Sequence, residues 1–332
     1  MRSGTSERYD LIVGALGQDG FYLQEFLKSQ GRNVLSIDTN GLVGQEIYDT
    51  DFTISDAKKV SDLISRYPID HIYFLAAYHH SAEQQDANNI DTLKSSMEIH
   101  VYALDNFLRA IIKYRPKARI FYAASSHLFS GMSLSNSKKQ VLVDEETPFS
   151  PRGWYAISKA AGVELIESYR SKGIFAVCGL LFNHESARRP KTFLTSKLTH
   201  GALDAFQDNK TKIEILDAKT QVDWGYAPDY VEAMFLSLEH NKAQNYIIAT
   251  GKLNSVADYA ECVYGLLGLD WRDFVTVNSK THKKIGNAAT LAGNSARLTG
   301  ATGWRARTSF EKMVARILHE TAKKRNVQLK EK

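Results

Sequence analysis

The chain has 332 residues, of which 43% are hydrophobic and 24% charged, and its 42 Lys and Arg exceed its 37 Asp and Glu to give a net charge of +5. We expect neither nucleic acid nor a membrane as a partner, because no stripe interleaves basic with aromatic side chains and no apolar run is long enough to span a bilayer. The two isolated cysteines, Cys178 and Cys262, form neither a disulfide framework nor a metal-ligand pattern, so we expect a protein of the reducing cytoplasm without a bound metal.

Short apolar strands alternate with helical patterns through the first half of the chain. The strands are predicted at 9–13, 33–37, 72–75, 118–123 and 175–181, and the helices between them at 21–30, 55–66, 90–114 and 155–172. Near-continuous apolar strands separated by helices are typical of a parallel sheet covered on both faces, which predicts a doubly wound α/β fold. Beyond about residue 182 the pattern loosens, with helices near 229–239 and 309–324. We therefore expect a larger domain at 1–182 with about 223–250, and a smaller C-terminal substrate domain at 183–222 and 251–332.

A glycine-rich segment follows the first predicted strand and opens a helix. Its spacing is G-x-x-G-x-x-G, and its residues include Gly14, Leu16, Gly17, Gln18, Asp19 and Gly20. Glycines let the backbone turn tightly and approach a pyrophosphate, whose charge is favoured at a helix N-terminus. Three glycines in this window also fit a plain loop, but the strand before them and the helix after them favour a dinucleotide site.

Asp38 ends the second predicted strand, about 20 residues after the glycines, where a carboxylate accepts hydrogen bonds from the ribose of NAD and repels the 2′-phosphate of NADP. We expect NAD as the cofactor, with NADP as second choice; an ordinary turn aspartate is the alternative. Asp51 and Phe52 are predicted to flank the adenine. The end of the 72–75 strand is predicted to let the cofactor pass beside Leu75, Ala76 and Ala77.

Tyr155 and Lys159 are four residues apart in a predicted helix and share one face. An ammonium beside a phenol favours the phenolate and can lower a pKa that is normally about 10. The pair can then take a proton from a substrate hydroxyl while a nicotinamide takes the hydride. The alternative is a surface helix with no chemical role.

These motifs, in this order with Ser125 between them, resemble the extended short-chain dehydrogenases/reductases that act on nucleotide sugars. Further matches make the chain similar to the GDP-mannose 4,6-dehydratase family from about residue 9 to 316; they lie at 147–152, 181–189, 216–219, 223–234 and 303–310. The resemblance implies a Rossmann domain with a smaller sugar-nucleotide domain, a nucleotide-diphosphate sugar as substrate, and a homodimer or homotetramer paired through the helices near 90–114 and 155–172.

The resemblance also implies a role for each matching residue. Tyr155 is the base for oxidation at carbon 4 of the hexose, Lys159 tunes it and holds the nicotinamide ribose, and Ser125 bonds the reacting hydroxyl. Oxidation acidifies the carbon 5 proton, water leaves from carbon 6, and hydride returns there. The implied substrate-binding residues are His80, Ser126, Asn183, Glu185, Arg188, Thr195, Lys197 and Lys284. His79 and His80 lack an accompanying ligand cluster, so a substrate-facing role for His80 is favoured over a metal.

His127 is the main departure from the family, since it stands where a glutamate removes the carbon 5 proton. A neutral histidine can be a base, although it becomes a cation on taking the proton; a packed or substrate-contacting residue is the alternative. Val222 and Lys284 stand where the family has arginines, so the nucleotide or the sugar can differ. Three functions remain open: a 4,6-dehydratase, an epimerase or 4-dehydrogenase without dehydration, and a non-catalytic NAD- or sugar-nucleotide-binding regulator.

Overall fold

The computed structural model describes residues 8–38, 41–42, 52–78, 90–132, 141–278 and 290–329. The strands are β1 (Tyr9–Val13), β2 (Asn33–Asp38), β3 (Gly41–Leu42), β4 (Ile69–Phe74), β5 (Arg119–Ala123), β6 (Val141–Val143), β7 (Phe175–Leu181), β8 (Asn183–Glu185), β9 (Ile213–Ile215), β10 (Gln221–Tyr226), β11 (Asn245–Ile248), β12 (Leu253–Ser255), β13 (Val275–Val277) and β14 (Leu291–Gly293). The α-helices are α1 (Gln18–Ser29), α2 (Ala57–Arg66), α3 (Ile90–Met97), α4 (Leu104–Tyr114), α5 (Trp154–Arg170), α6 (Leu194–Asp208), α7 (Ala227–Glu239), α8 (Val256–Gly265), α9 (Ala296–Thr302) and α10 (Phe310–Lys324). A π-helical segment, Glu98–Ala103, joins α3 to α4, and short 3₁₀ helices lie at Ser126–Phe129 and Trp271–Asp273.

The central sheet of the described chain has the strand order β11-β7-β5-β4-β1-β2-β3. All neighbouring strands run parallel except β2 and β3. The chain turns from one half of the sheet to the other beside β1, and such a switch point opens a crevice at the carboxyl ends of β1 and β4. The doubly wound α/β prediction is confirmed.

Alternate residues of the central strands enter two different cores. Leu11 and Val13 pack on the face covered by α2, α4 and α5, whereas Ile12 packs on the face covered by α1 and α7. Successive side chains of a strand point to opposite faces, so a sheet covered on both sides requires strands that are apolar throughout. Leu298 of α9 and Trp304 join the same core as α7.

A second unit, here called the smaller lobe, forms around α6, α8 and α10 and the three-stranded sheet β12-β10-β8. Leu198, Tyr259 and Ile317 are among its core residues, and Trp224 of β10 packs with them. β8 follows β7 after a single residue, which sets the smaller lobe beside the carboxyl edge of the central sheet. The domain boundaries drawn from the sequence stay a prediction.

Candidate active site

The glycine segment lies tightly against the end of β4. Gly14 has φ 95°, and a Cβ there would lie 2.8 Å from the backbone nitrogen of Ala76. At Gly20 a Cβ would lie 2.3 Å from the oxygen of Gly14, whereas Gly17 keeps an ordinary φ of −64° and a clearance of 3.4 Å. Glycine is therefore required at Gly14 and Gly20, where the loop must stay close to the sheet, and not at Gly17.

The loop and its neighbours fit a dinucleotide. α1 begins at Gln18, so its first backbone N–H groups face the end of β1, where a pyrophosphate is favoured. The carboxylate of Asp38 accepts a 2.7 Å hydrogen bond from the backbone N–H of Leu16, which fixes Asp38 beside the loop. After the end of β4, Ala77 is exposed, and Leu75 and Ala76 are half-buried. Phe52 differs from the expectation, because it is 5% exposed within the first core and offers little surface to an adenine.

Ser125, Tyr155 and Lys159 meet at the carboxyl end of β5. Lys159 Nζ donates a 2.7 Å hydrogen bond to the backbone oxygen of Ala123 and lies 5.8 Å from the centre of the Tyr155 ring. The Ser125 hydroxyl hydrogen-bonds the phenol of Tyr155. The structure therefore brings together, beside the glycine loop, the three groups that the sequence assigns to one oxidation step.

Burial sets the protonation of this pair. Burial lowers the pKa of Lys159 to about 7. Burial also raises the pKa of Tyr155 to about 12, and the Ser125 hydrogen bond offsets only part of that rise. The expectation of a lowered phenol pKa is wrong for this arrangement, because the cost of removing the phenolate charge from water outweighs the interactions that favour it.

His127 lines the same cleft. Its ring meets Tyr155 edge to face, with centroids 5.7 Å apart and planes at 83°, and its backbone N–H donates to Ser125 Oγ at 3.2 Å. The side chain of His127 is exposed, but protein atoms around the imidazole reduce its contact with bulk water and lower its pKa. Such partial exposure is expected on the wall of a cleft. The neutral form, which can accept a proton, is therefore favoured. Ser126, in the same 3₁₀ turn, is partly exposed.

Asp19 and His184 join the glycine segment to the smaller lobe. His184 Nε2 lies 2.9 Å from each carboxylate oxygen of Asp19, and its Nδ1 lies 2.7 Å from the backbone oxygen of Phe182. Gln18 donates to the His184 carbonyl and accepts from Ser186 Oγ. Burial acts to raise the pKa of Asp19, but the charge and hydrogen bond of His184 hold it at about 2. The side chains of Gln18 and Asp19 thus tie two parts of the chain together, and the backbone of this turn is what remains for a pyrophosphate.

The predicted substrate-binding residues divide into two groups. Glu185 and Thr195 are buried: the Thr195 hydroxyl donates a 2.6 Å hydrogen bond to the Glu185 carboxylate, which also lies 3.3 Å from Arg189 Nε, so this carboxylate is held by protein groups. Asn183 is exposed, Lys197 is half-buried, and the Arg188 guanidinium lies 3.7 Å from the centre of the Phe21 ring on α1. These three side chains are at least partly exposed, and Arg188 lies against α1. Asp51, His80 and Lys284 lie outside the described residues.

Sequence reasoning missed three residues behind the site. His184 and Ser186 lie within the 181–189 run on which the resemblance rests. A histidine and a serine directly after a buried strand were the sequence signal for polar contacts with another segment, here Gln18 and Asp19. His100 contacts Tyr155 from the π-helical segment, and no local pattern marks it.

Within the described residues, no three His, Cys, Asp or Glu side chains group as metal ligands, and no helix is long and apolar enough to cross a membrane.

Comparison with known families agrees over nearly the whole chain. A family model described as GDP-mannose 4,6 dehydratase matches residues 11–317. GDP-mannose 4,6 dehydratase 2 of Arabidopsis thaliana is 30% identical over 337 residues, which cover 93% of this chain and 86% of the relative. GDP-mannose 4,6-dehydratase of Vibrio cholerae is 27% identical over 365 residues, covering 94% of this chain and 93% of that one.

Solved structures share the fold at lower identity. The UDP-glucose 4-epimerase of Thermus thermophilus in complex with NAD gives a TM-score of 0.76 at 18% identity and covers 95% of this chain and 99% of that one. The dTDP-glucose 4,6-dehydratase of Bacillus anthracis in complex with NAD gives 0.77 at 16% identity, covering 96% and 97%. The Rossmann fold is thus shared with both, and the matches in sequence show that the chain belongs to the GDP-mannose 4,6-dehydratase family of extended short-chain dehydrogenases/reductases.

Proposed function

We propose that the chain is a nicotinamide-dependent nucleotide-sugar 4,6-dehydratase that takes a GDP-mannose-like substrate. The observation that carries the proposal is the cluster of Ser125, Tyr155 and His127 at the carboxyl edge of the sheet, beside the glycine loop. Family membership supports the substrate class, and the accessible Arg188 suits a diphosphate.

The oxidation step uses Ser125, Tyr155 and Lys159. A bound nicotinamide supplies an acceptor for the carbon 4 hydride and later returns it. Ser125 and Tyr155 hold the carbon 4 hydroxyl, and the phenol of Tyr155 must first lose its own proton to solvent before it can take the proton of the sugar hydroxyl. Lys159, whose pKa is about 7, is present both as amine and as ammonium near neutral pH, and its ammonium form favours the phenolate.

The dehydration step is assigned to His127. Once carbon 4 is a ketone, the neutral imidazole takes the carbon 5 proton and passes it to the carbon 6 hydroxyl, which leaves as water. The hydride held by the cofactor would then return to carbon 6, and a proton, equivalent to the one that Tyr155 took from the carbon 4 hydroxyl, would add to carbon 5. The product is therefore lighter than the substrate by one water. Exposure of His127 to the cleft and its lowered pKa support this role over that of a packed side chain.

The test is the mass of the product. The protein is incubated with GDP-, CDP-, UDP- and dTDP-hexoses, and the proposal requires loss of one water from at least one of them. An unchanged mass with altered stereochemistry would instead establish an epimerase, an accumulating ketone a 4-dehydrogenase, and cofactor binding without turnover a regulator.

His127→Asn separates the two steps. We expect this variant to reduce the nicotinamide in a single turnover and to stop at the ketone, because the phenol and lysine are intact. Tyr155→Phe is the matched comparison, since it must lose both steps. Loss of water at the normal rate in His127→Asn would overturn the assignment of the base.

We further propose that NAD is the preferred cofactor and that the protein is a cytoplasmic homodimer or homotetramer. Asp38 beside Leu16 supports NAD. Exposed apolar side chains on α3, the π-helical segment and α4, namely Ile90, Tyr102 and Ile112, with Ile157 on α5, support pairing through these helices. Light scattering of Tyr102→Glu tests the assembly, and a monomer is the expected result.

A further inference from the structure

His100 is completely buried in the π-helical segment between α3 and α4. Single π-helical turns interrupt α-helices at a cost in hydrogen bonding and concentrate at functional sites. Here the segment lies directly against α5: a Cβ on Gly162 would come within 2.8 Å of the His100 carbonyl oxygen. A polar ring is therefore held, without exposure to solvent, behind the helix that carries Tyr155.

Hydrogen bonds fix the tautomer of His100. The backbone N–H of Tyr78 donates to Nε2 at 3.1 Å. A backbone amide can only donate, so Nε2 carries no proton and the ring is neutral with its hydrogen on Nδ1. Nδ1 lies 2.8 Å from Ser158 Oγ, and Ser158 in turn donates to the carbonyl oxygen of Tyr155 at 2.9 Å. Every donor in this path points in one direction, from Tyr78 to Tyr155.

The path joins the two sides of the site. Tyr78 follows Ala77 at the end of β4, where the cofactor is expected to pass, and Tyr155 lies in the first turn of α5. The His100 ring also meets the Tyr155 ring edge to face, with centroids 5.4 Å apart, on a different contact from that of His127. The phenol is thus bounded by two imidazoles, a buried one and an exposed one.

We infer that His100 is a positioning residue: its Nδ1–H acts through Ser158 to hold the first turn of α5, and so the Tyr155 phenol, in place, while its Nε2 separately holds the Tyr78 amide at the end of β4. Its effect on rate rests on the proposed function, whereas its tautomer and contacts do not. Proton transfer requires the phenol within hydrogen-bond reach of the sugar hydroxyl, and a displacement of about 1 Å can cost about 100-fold in rate.

Two substitutions at His100 separate the contribution of its Nδ1 hydrogen bond from that of its Nε2 hydrogen bond. The side-chain amide of His100→Asn can replace the Nδ1–H donor to Ser158, whereas the carbonyl of His100→Gln can replace the Nε2 acceptor for Tyr78. We expect kcat to fall by less than about 5-fold in His100→Asn and by about 10- to 100-fold in His100→Gln and Ser158→Ala, with KM and cofactor affinity within about 2-fold. Exchange of the Tyr78 amide hydrogen must show the reverse order, remaining slow in His100→Gln and becoming fast in His100→Asn.

His71→Asn is the control, because His71 is also buried but lies near the amino end of β4. It should lower the melting temperature and leave kcat and Tyr78 exchange unchanged. Equal kcat in the Asn and Gln variants, or a proton on Nε2 of His100 in the nitrogen NMR spectrum, would overturn the inference. The spectrum and the exchange rates need no substrate, so a protein that turns over no sugar defeats the proposed function, while these two readouts still decide whether His100 is held as stated.

Discussion

The two ends of the central sheet differ in how a buried ionisable side chain is partnered: one has an opposite charge beside it and the other has a neutral group. Near the amino end, Asp10 is 1% exposed and accepts two hydrogen bonds from the Arg32 guanidinium, at 2.9 and 2.8 Å, with His71 Nδ1 at 3.3 Å. At the carboxyl end, Lys159 is also 1% exposed, but its ammonium donates to a neutral carbonyl, that of Ala123.

The pKa directions follow from this difference. Burial acts to raise the pKa of Asp10, but hydrogen bonds from His71 and Arg32 hold it below its ordinary value, so the carboxylate stays charged. Burial lowers the pKa of Lys159 to about 7, so the amine changes charge near neutral pH. A paired buried charge supports the fold, whereas a buried charge without a counter-charge costs stability and is retained for chemistry.

Tyr155→Phe should give the largest effect and leaves the amino end untouched. Removing the phenolic oxygen deletes the proton acceptor, so kcat should fall by about 1,000-fold, within the usual range for general acid–base catalysis. The cofactor should bind with unchanged affinity, measured by calorimetry, since its expected contacts at the glycine loop remain. Near-normal turnover would refute the oxidation centre.

Asp10→Asn is the corresponding change at the amino end. It leaves the Arg32 guanidinium with the more distant carboxylate of Glu239, at 3.7 Å. The free energy of unfolding in urea should fall by about 3 kcal/mol, at the low end for a broken buried pair because Arg32 is partly exposed. Turnover at a temperature where the variant is folded should stay normal. Glu25→Gln, on the surface of α1, is the control and should change stability by less than about 0.5 kcal/mol.

Lys159→Met should have effects opposite to those of Asp10→Asn. Turnover should fall, and the free energy of unfolding at neutral pH should rise by about 1 kcal/mol, because a costly buried charge is removed. The pH dependence checks the cause. Between about pH 7 and pH 10 the unfolded lysine binds a proton that the folded one has lost, so the unfolding free energy of the native protein rises with pH, by up to about 1.4 kcal/mol per unit.

Urea titrations across this pH range should show the slope in the native protein and in Lys28→Met, whose lysine is exposed, and a reduced slope in Lys159→Met. The same slope in all three proteins would mean that Lys159 keeps an ordinary pKa, and the contrast between the two ends of the sheet would then fail.

Much of the fold could be predicted because each central strand is buried on both faces and therefore appears in the sequence as a short, continuous apolar run. The strand predicted at 175–181 is β7, and the one at 118–123 differs from β5 by one residue. The short strands of the smaller lobe, such as β8 and β12, were not predicted, since three residues carry too little periodicity.

The site could be predicted only where helical spacing or a contiguous motif defines it. Tyr155 and Lys159 share a face because of the helix, and the glycines lie where the strand ends. Asp19 and His184 are 165 residues apart, and His100 and Ser158 are 58 apart, so their pairing depends on how separate elements pack. The direction of the Tyr155 pKa was wrong for a related reason: spacing shows that a lysine is near, but not how much water the site excludes.

Asp38→Ala should give the smallest change in stability and turnover, and it tests whether a carboxylate held by a neutral group differs from Asp10, which is held by a cation. Asp10 is held by a cation, whereas Asp38, at the carboxyl end of β2, is held by the neutral backbone N–H of Leu16. Its loss should therefore leave stability within about 1 kcal/mol and act on the cofactor, since repulsion of a 2′-phosphate and the bond to the ribose both disappear. We expect the preference for NAD over NADP, measured as the ratio of the two dissociation constants, to narrow by about 10-fold, which a difference of about 1.4 kcal/mol produces. An unchanged ratio would assign Asp38 to the loop alone, as a second carboxylate that serves the fold.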